Sequence, residues 1–194
     1  MFASFEFKDW DLSQELQDAL DAIGWEFPTM IQYDSIPLGL IGKDIVGQAR
    51  TGSGKTAAFS IPIIERSKPL GKLQALVLTP TRELASQVSE EMGKLQGKKG
   101  LKIEAVYGGT DIEKQAKKLG SGIDIIVGTP GRVIDMVRRE HINLKDPPML
   151  ILDEADRMLD MGFFPDVIWI LEQMTSRSQT FLFSATFPQE ILEA

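Results

Sequence analysis

Two stretches of this chain have residue types and spacing that could do chemistry together. The first is Ala49-Arg50-Thr51-Gly52-Ser53-Gly54-Lys55-Thr56. Small residues let a backbone wrap round phosphate oxygens with its N–H groups pointing inward, and a helix opening near Lys55 adds a positive dipole end. Lys55 would then reach the β- and γ-phosphates of a nucleotide, with the Thr56 hydroxyl on Mg²⁺. The strict form of such a loop has glycine where Ala49 stands, but its Gly54-Lys55-Thr56 end is intact. The bland alternative is a Gly-rich turn. The second stretch is Leu150-Ile151-Leu152-Asp153-Glu154. An apolar strand that buries itself delivers Asp153 to the metal and leaves Glu154 to orient or deprotonate a water. Alone, Asp153-Glu154-Ala155-Asp156 could equally be a helix N-terminus whose acids suit the dipole. Beside a phosphate loop, it points to hydrolysis of a nucleoside triphosphate. Asn143-Leu144-Lys145-Asp146 is similar to the guanine-reading Asn-Lys-x-Asp, but its lysine falls one place late, so GTP is disfavoured.

These residues need strands and helices to hold them. Short apolar runs recur at 44–49, 75–80, 103–108, 123–130, 149–156 and 180–186, all but the first ending in Gly, Thr, Pro or Asp. Several lack apolar/polar alternation, as strands covered on both faces do. Amphipathic stretches such as 81–95 and 110–119 lie between them, at the spacing of βαβ units. The expected fold is a three-layer α/β sandwich with a mainly parallel sheet. Ligands in such sheets bind beyond the carboxyl ends of the strands, where the polar and glycine residues of this chain gather.

Composition narrows the chemistry further. The chain has 194 residues, 43% hydrophobic and 25% charged, enough for one well-filled core and no sign of disorder. With no cysteine there is no disulfide, thiol nucleophile or Cys-ligated metal, and a single histidine, His141, leaves almost nothing for His-rich metal sites or Ser-His-Asp chemistry. The absence of cysteine fits a reducing cytoplasm, and neither a membrane-spanning run nor a signal peptide is evident. The net charge of −7 by itself speaks against nucleic acid. Its distribution does not: residues 1–60 carry 4 basic and 9 acidic groups, residues 61–148 carry 15 and 11, and residues 149–194 carry 2 and 8. A basic middle lies between acidic ends.

In order along the chain stand Phe7, then Gly24-Trp25-Glu26-Phe27-Pro28-Thr29-Met30-Ile31-Gln32, then Ala49–Thr56. Pro80-Thr81-Arg82-Glu83-Leu84-Ala85, Gly108-Gly109, Thr129-Pro130-Gly131-Arg132, Asp153-Glu154-Ala155-Asp156 and Ser184-Ala185-Thr186 follow. This series resembles the N-terminal half of the DEAD-box RNA helicases, from about Phe7 to the end. The resemblance implies a single RecA-like P-loop domain over residues 1–194, with a Q-motif region at 7–32 and the P-loop-to-SAT core at 44–186.

It implies ATP and Mg²⁺ as cofactors. Gln32 would read the adenine edge, Trp25 would stack on the base, and Phe27 would contribute its backbone carbonyl. Arg50, Thr51, Gly52, Ser53, Gly54, Lys55 and Thr56 would hold the phosphates. Thr56 and Asp153 would hold the metal, with Lys55, Asp153 and Glu154 catalytic. It further implies that Pro80, Thr81, Arg82, Gly108, Gly109, Thr129, Pro130, Gly131 and Arg132 contact the RNA backbone without reading sequence, and that Asp156, Ser184 and Thr186 couple the two ligands. In the family a second, C-terminal helicase domain supplies arginine fingers and half of the RNA groove. The chain is therefore expected to be an excised, monomeric, cytoplasmic first domain, nearly inactive alone. Joined to its second half it would couple ATP hydrolysis to RNA unwinding or remodelling of RNA–protein complexes. A clamp or scaffold without useful unwinding is the alternative, though such a module has no need of Glu154. Lys114, Lys117 and Lys118 read as a solvated helix face.

Overall fold

Four residues with no exposed surface, Ala75, Leu76, Val77 and Leu78, form a central strand, and the architecture follows from having to cover both of its faces. The computed structural model describes residues 1–194. In chain order the elements are α1 (Gln14–Ala22), α2 (Met30–Leu40), β1 (Ile45–Gln48), α3 (Lys55–Arg66), β2 (Ala75–Leu78), α4 (Arg82–Gln96), β3 (Ile103–Val106) and α5 (Ile112–Gly120). There follow β4 (Ile125–Gly128), α6 (Pro130–Arg138), β5 (Met149–Asp153), α7 (Ala155–Asp160), α8 (Phe164–Gln173), β6 (Gln179–Ser184) and α9 (Gln189–Leu192). The six strands make one sheet in the order β1-β6-β5-β2-β4-β3, with every pairing parallel. All six expected strands are present, each starting or ending within a few residues of its apolar run.

Alternation along the strands divides the core into two layers. Ala75, Val77, Ile125, Val127, Met149 and Ile151 face α1 to α4, packing with Leu16, Ala57, Ile61, Val88 and Met92. Leu76, Leu78, Ile126, Leu150 and Leu152 face the opposite way, against Ala116, Val133, Met158, Val167 and Ile170 of α5 to α8. Each fully buried aliphatic side chain contributes about 1.5–3 kcal/mol. A parallel sheet needs cover on both faces, and the alternating crossovers supply it.

Two features of this frame position the site. α2 lies across α3 at Gly39, where a Cβ would come 2.7 Å from Pro62 Cγ, so only glycine allows so close an approach. That packing sets the start of α2, with Gln32, beside the start of α3. All strand ends that carry polar loops also lie on one edge of the sheet. At the other edge, Asp124 (1% exposed) closes the structure. Its Oδ1 accepts from the Leu70 and Gly71 N–H groups at 3.1 and 2.8 Å and from Gln74 Nε2 at 3.2 Å, and its Oδ2 accepts from the Lys102 N–H at 2.8 Å. The Asn143–Asp146 segment is also at that edge, folded on itself by a Lys145 N–H to Asn143 Oδ1 bond of 2.9 Å.

Removing Asp124 would leave three part-buried backbone donors without their acceptor. Asp124→Ala should therefore cost about 2–4 kcal/mol in urea unfolding, while ADP binding at the far edge stays unchanged. Undiminished stability would contradict this role.

Candidate functional site

The loop after β1 folds over the end of β6 and enters α3 through Gly54, whose φ of 86° is left-handed. A Cβ there would stand 2.6 Å from Gln32 Nε2 and 2.7 Å from Thr29 Oγ1, so glycine is required by both conformation and space. Lys55, the first residue of α3, is 6% exposed. Its Nζ lies 2.9 Å from Asp153 Oδ1 and 3.4 Å from Glu154 Oε1. The shorter contact is one of charge: Asp153 Oδ1 has no well-aligned hydrogen bond. Burial pushes the Asp153 carboxyl above the ordinary range, against the lowering pull of Lys55, and the neighbouring Glu154 charge pushes the same way as burial.

Glu154 itself sits at φ 55° and ψ 52°, a left-handed conformation that costs a non-glycine residue about 1–3 kcal/mol. It turns the chain sharply from β5 into α7 and aims the carboxylate back at the phosphate loop. Oε1 accepts from Thr51 Oγ1 at 3.2 Å, Arg157 Nη1 stands 3.5 Å from Oε2, and Oε2 is buried without a hydrogen-bond partner. A cavity of about 710 Å³ opens between this cluster, the loop and the segment before α2. Lys55, Thr56, Thr51, Gly52 and Gly54 line it, with Asp153, Glu154, Gln32, Trp25 and Phe27. Its volume suits a nucleotide.

The segment before α2 holds a surprise. Gln32 is 3% exposed and its amide is already engaged. Oε1 accepts from the Thr29 N–H at 2.9 Å, half of a capping box at the start of α2, and Nε2 donates to the Gly54 carbonyl at 3.1 Å. One N–H and one lone pair remain for a ligand. Gln32 thus ties the helix start to the phosphate loop, a contact not expected from the spacing alone. Trp25 is half-buried and stacks on Phe7, centroids 6.3 Å apart and planes at 23°, while still lining the cavity.

On the same sheet edge, the loops after β2, β3 and β4 bring most of the other expected residues together. Arg82 is exposed, lies 5.3 Å over the Tyr107 ring, and has Nη1 3.3 Å from the position of a Cβ on Gly109. Thr81 caps α4 by accepting from the Leu84 N–H at 3.3 Å. Thr129 caps α6 with no side-chain hydrogen bond, leaving its hydroxyl uncommitted. Gly108, Gly109 and Gly131 are exposed. Pro80 and Pro130 are buried, so they direct the chain beneath this surface and their rings are not part of it. Neither arginine is salt-bridged: Arg132 bonds only neutral oxygens, those of Thr110 and Gln115. Lys114, Lys117 and Lys118 are exposed on α5, with Lys118 Nζ 3.0 Å from Glu104.

Residues 29–194 match the DEAD/DEAH box helicase family. The chain belongs to that family. It is 50% identical over 187 residues to the RNA helicase CrhR of Synechocystis, covering 96% of this chain and 38% of that protein. It is 49% identical over 186 residues to the DEAD-box ATP-dependent RNA helicase CshA of Bacillus subtilis, covering 95% and 38%. Among solved structures, a DEAD box protein from Methanococcus jannaschii superposes with a TM-score of 0.94 at 47% identity, covering 100% of this chain and 53% of that one. A hypothetical ATP-dependent RNA helicase from Sulfolobus tokodaii gives 0.88 at 41%. The chain thus spans well under half the length of these curated relatives, and its fold is the RecA-like α/β fold of DEAD-box helicases.

In this DEAD-box domain the end of β6 is joined to the start of α7. Asp156 N–H donates to Ser184 Oγ at 3.0 Å, and Thr186 Oγ1 and N–H donate to Asp156 Oδ2 at 3.0 and 3.2 Å. Ser184 Oγ donates in turn to the Thr186 carbonyl at 2.6 Å. The three residues expected to act together therefore form one closed set of bonds. Partial burial pushes the Asp156 carboxyl up, but Thr186, Ser184 and the Arg157 and Thr186 N–H groups outweigh it and hold it below the ordinary range.

Other pocket residues carry no motif signal. Gln87, Val88 and Glu91 of α4 line the cavity, and burial pushes the Glu91 carboxyl up, with Lys94 opposing and Asp153 adding to the rise. Their i, i+1, i+4 spacing is that of any amphipathic helix, so only the fold reveals their place.

Because the folded state depresses the Asp156 pKa, this link contributes stability above the unfolded carboxyl pKa and loses it as pH falls through the lower, folded value. Thr186→Val removes the hydroxyl donor and should raise the Asp156 pKa, read from the carboxyl ¹³C shift during an acid titration. An unmoved titration would show that the other donors suffice.

Proposed function

We propose that this chain is the ATP-binding and RNA-contacting RecA-like domain of an ATP-dependent RNA helicase, working in the cytoplasm with a second domain of similar fold. The observation that carries the reading is the Lys55–Asp153–Glu154 cluster in a nucleotide-sized cavity, on the same sheet edge as the uncommitted Thr129 and the unpaired Arg82 and Arg132.

The residues fit Mg²⁺. Asp153 Oδ1 is buried with only the Lys55 ammonium beside it, a cation that phosphates would draw away, and Thr56 supplies a second hard oxygen at the cavity wall. Mg²⁺ characteristically takes one or two protein oxygens and fills the rest of its shell with water and phosphate. Thr56 and Asp153 would hold it. When bound, it neutralises charge building up on the phosphate oxygens.

The chain's own groups do the remainder. Loop N–H groups from Arg50 to Thr56 and the N-terminus of α3 bind the phosphates. Lys55 shifts its charge from the two carboxylates to the β- and γ-phosphates, which frees Glu154. Glu154, held in its left-handed turn, then orients and deprotonates the attacking water. Trp25 packs against the base, Gln32 offers it the remaining N–H and lone pair, and the Phe27 carbonyl stands beside them. Thr81, Arg82, Gly108, Gly109, Thr129, Gly131 and Arg132 hold RNA phosphates, so binding is indifferent to sequence. Asp156, Ser184 and Thr186 pass the state of the strand end to the interface with the second domain. Arg157 is drawn towards Glu154 and Arg50 is exposed, so neither stands as an arginine finger, and fast turnover depends on the second domain.

Steady-state ATP turnover tests this, measured with and without single-stranded RNA on the 194-residue chain and on the same chain fused to a relative's C-terminal domain. The chain alone should hydrolyse ATP negligibly and the fusion should show RNA-stimulated turnover. In the fusion, Glu154→Gln should reduce turnover by about 10²–10⁴-fold with nucleotide affinity retained. RNA-stimulated hydrolysis by the chain alone, or full turnover in Glu154→Gln, would contradict the assignment.

A further inference from the structure

The loops after β3 and β4 are wired together by a residue outside every recognised motif. Gln115, in α5, is 8% exposed. Its Nε2 donates to the Tyr107 carbonyl at 3.0 Å and to Thr110 Oγ1 at 2.7 Å, and its Oε1 accepts from Arg132 Nη1 at 3.0 Å. Both amide hydrogens are therefore used on the loop after β3, and the amide oxygen on the helix after β4. Arg132 Nη1 and Nη2 also converge on the Thr110 carbonyl at 3.3 and 3.2 Å.

A guanidinium has five N–H donors in fixed geometry. Three are spent here, two on Nη1 and one on Nη2. The remaining pair, Nε–H and the other Nη2–H, lie side by side on one edge, the arrangement that meets two oxygens of a phosphate. The charge of Arg132 is also uncompensated. Its three bonds go to neutral oxygens, and it takes part in none of the chain's ion pairs. It stands in the first turn of α6, at the positive end of the helix dipole, where a cation is disfavoured. A half-buried cation without a counter-ion, at the wrong end of a helix, is an arrangement that an incoming anion relieves.

We propose that Gln115 is a positioning residue for polyanion binding. It fixes Arg132 so that one edge of the guanidinium is presented as a ready-made phosphate fork. Being an amide, it holds the arginine without cancelling its charge. A glutamate in its place would keep the acceptor for Arg132 and neutralise the fork, with the Thr110 hydroxyl turning to donate and the bond to the Tyr107 carbonyl lost. The inference deepens the RNA-backbone reading and rests on it.

Gln115→Glu is the discriminating variant, since the side chain is nearly isosteric and still accepts from Arg132, at the loss of one hydrogen bond to the Tyr107 carbonyl that the unfolding control reads. Binding of a fluorescein-labelled oligouridylate is followed by anisotropy over a salt series, with ADP affinity and thermal unfolding as controls on the same samples. The variant should remain folded and bind ADP as the parent does. It should lose roughly tenfold in oligouridylate affinity, with a salt slope shallower by about 0.7, the share of one phosphate on a single strand. In an Arg132→Ala background the same substitution should have no further effect, which general damage to the fold would not mimic. Parental affinity and slope in Gln115→Glu, or an equal loss in the Arg132→Ala background, would overturn the role of Gln115 and leave the RNA reading standing. Failure of the parent to bind oligouridylate at low salt would overturn both.

Discussion

The structure turns on one buried ammonium. Lys55 lies between Asp153 and Glu154 with almost no exposure to water, and it joins the loop after β1 to the end of β5 across the intervening strand β6. Desolvating three charges is expensive, and buried ion pairs seldom repay that cost in stability. The cluster makes sense as a poised site. On the proposed reading the lysine is held where phosphates would arrive, Asp153 Oδ1 is engaged by that lysine alone, and Glu154 sits in a left-handed turn. Gly54 and Gln32 extend the constraint outward, because the glycine at the head of α3 leaves room for the amide that bonds its carbonyl.

The sheet order explains how one edge could serve the two proposed ligands. β1, β6 and β5 carry the phosphate loop, the Ser184–Thr186 turn and the Asp153–Glu154 pair, while β2, β4 and β3 carry Arg82, Arg132 and the glycine pair. The two halves meet at β5 and β2, which are neighbours over four residues each. Asp156, just beyond Asp153 and Glu154, is bonded to the end of β6 and not to the β2 side. On the proposed reading, the route from nucleotide to second domain would run through that turn, and the loops assigned to RNA are organised separately, by Tyr107, Thr110, Gln115 and Arg132.

Much of this was legible in the residues themselves. Buried parallel strands leave unbroken apolar runs, and phosphate loops require small residues before a lysine, so the sheet, Lys55 and Asp153 could be read without coordinates. Long-range hydrogen bonds leave no such trace. Gln115 looks like any polar helix residue until the loop 8 residues before it and the arginine 17 residues after it are brought together. The bond from Gln32 to Gly54 depends on α2 crossing α3 at Gly39, a packing event that no local pattern encodes. Glu91 joins the cavity only because α4 lies beside the start of α3.

The most direct test of the poised-cluster account is the stability of Lys55→Met as a function of pH, from urea unfolding beside the parent protein. The substitution keeps the apolar stem and removes the charge that opposes the upward push of burial on Asp153. With its folded pKa raised further above the unfolded value, Asp153 destabilises the fold as pH rises and ceases to do so once protonated. The account predicts a deficit of about 3 kcal/mol or more at neutral pH, shrinking as the solution is made acidic. An equal deficit at every pH, or no deficit at all, would contradict the claim that this ammonium holds the site together.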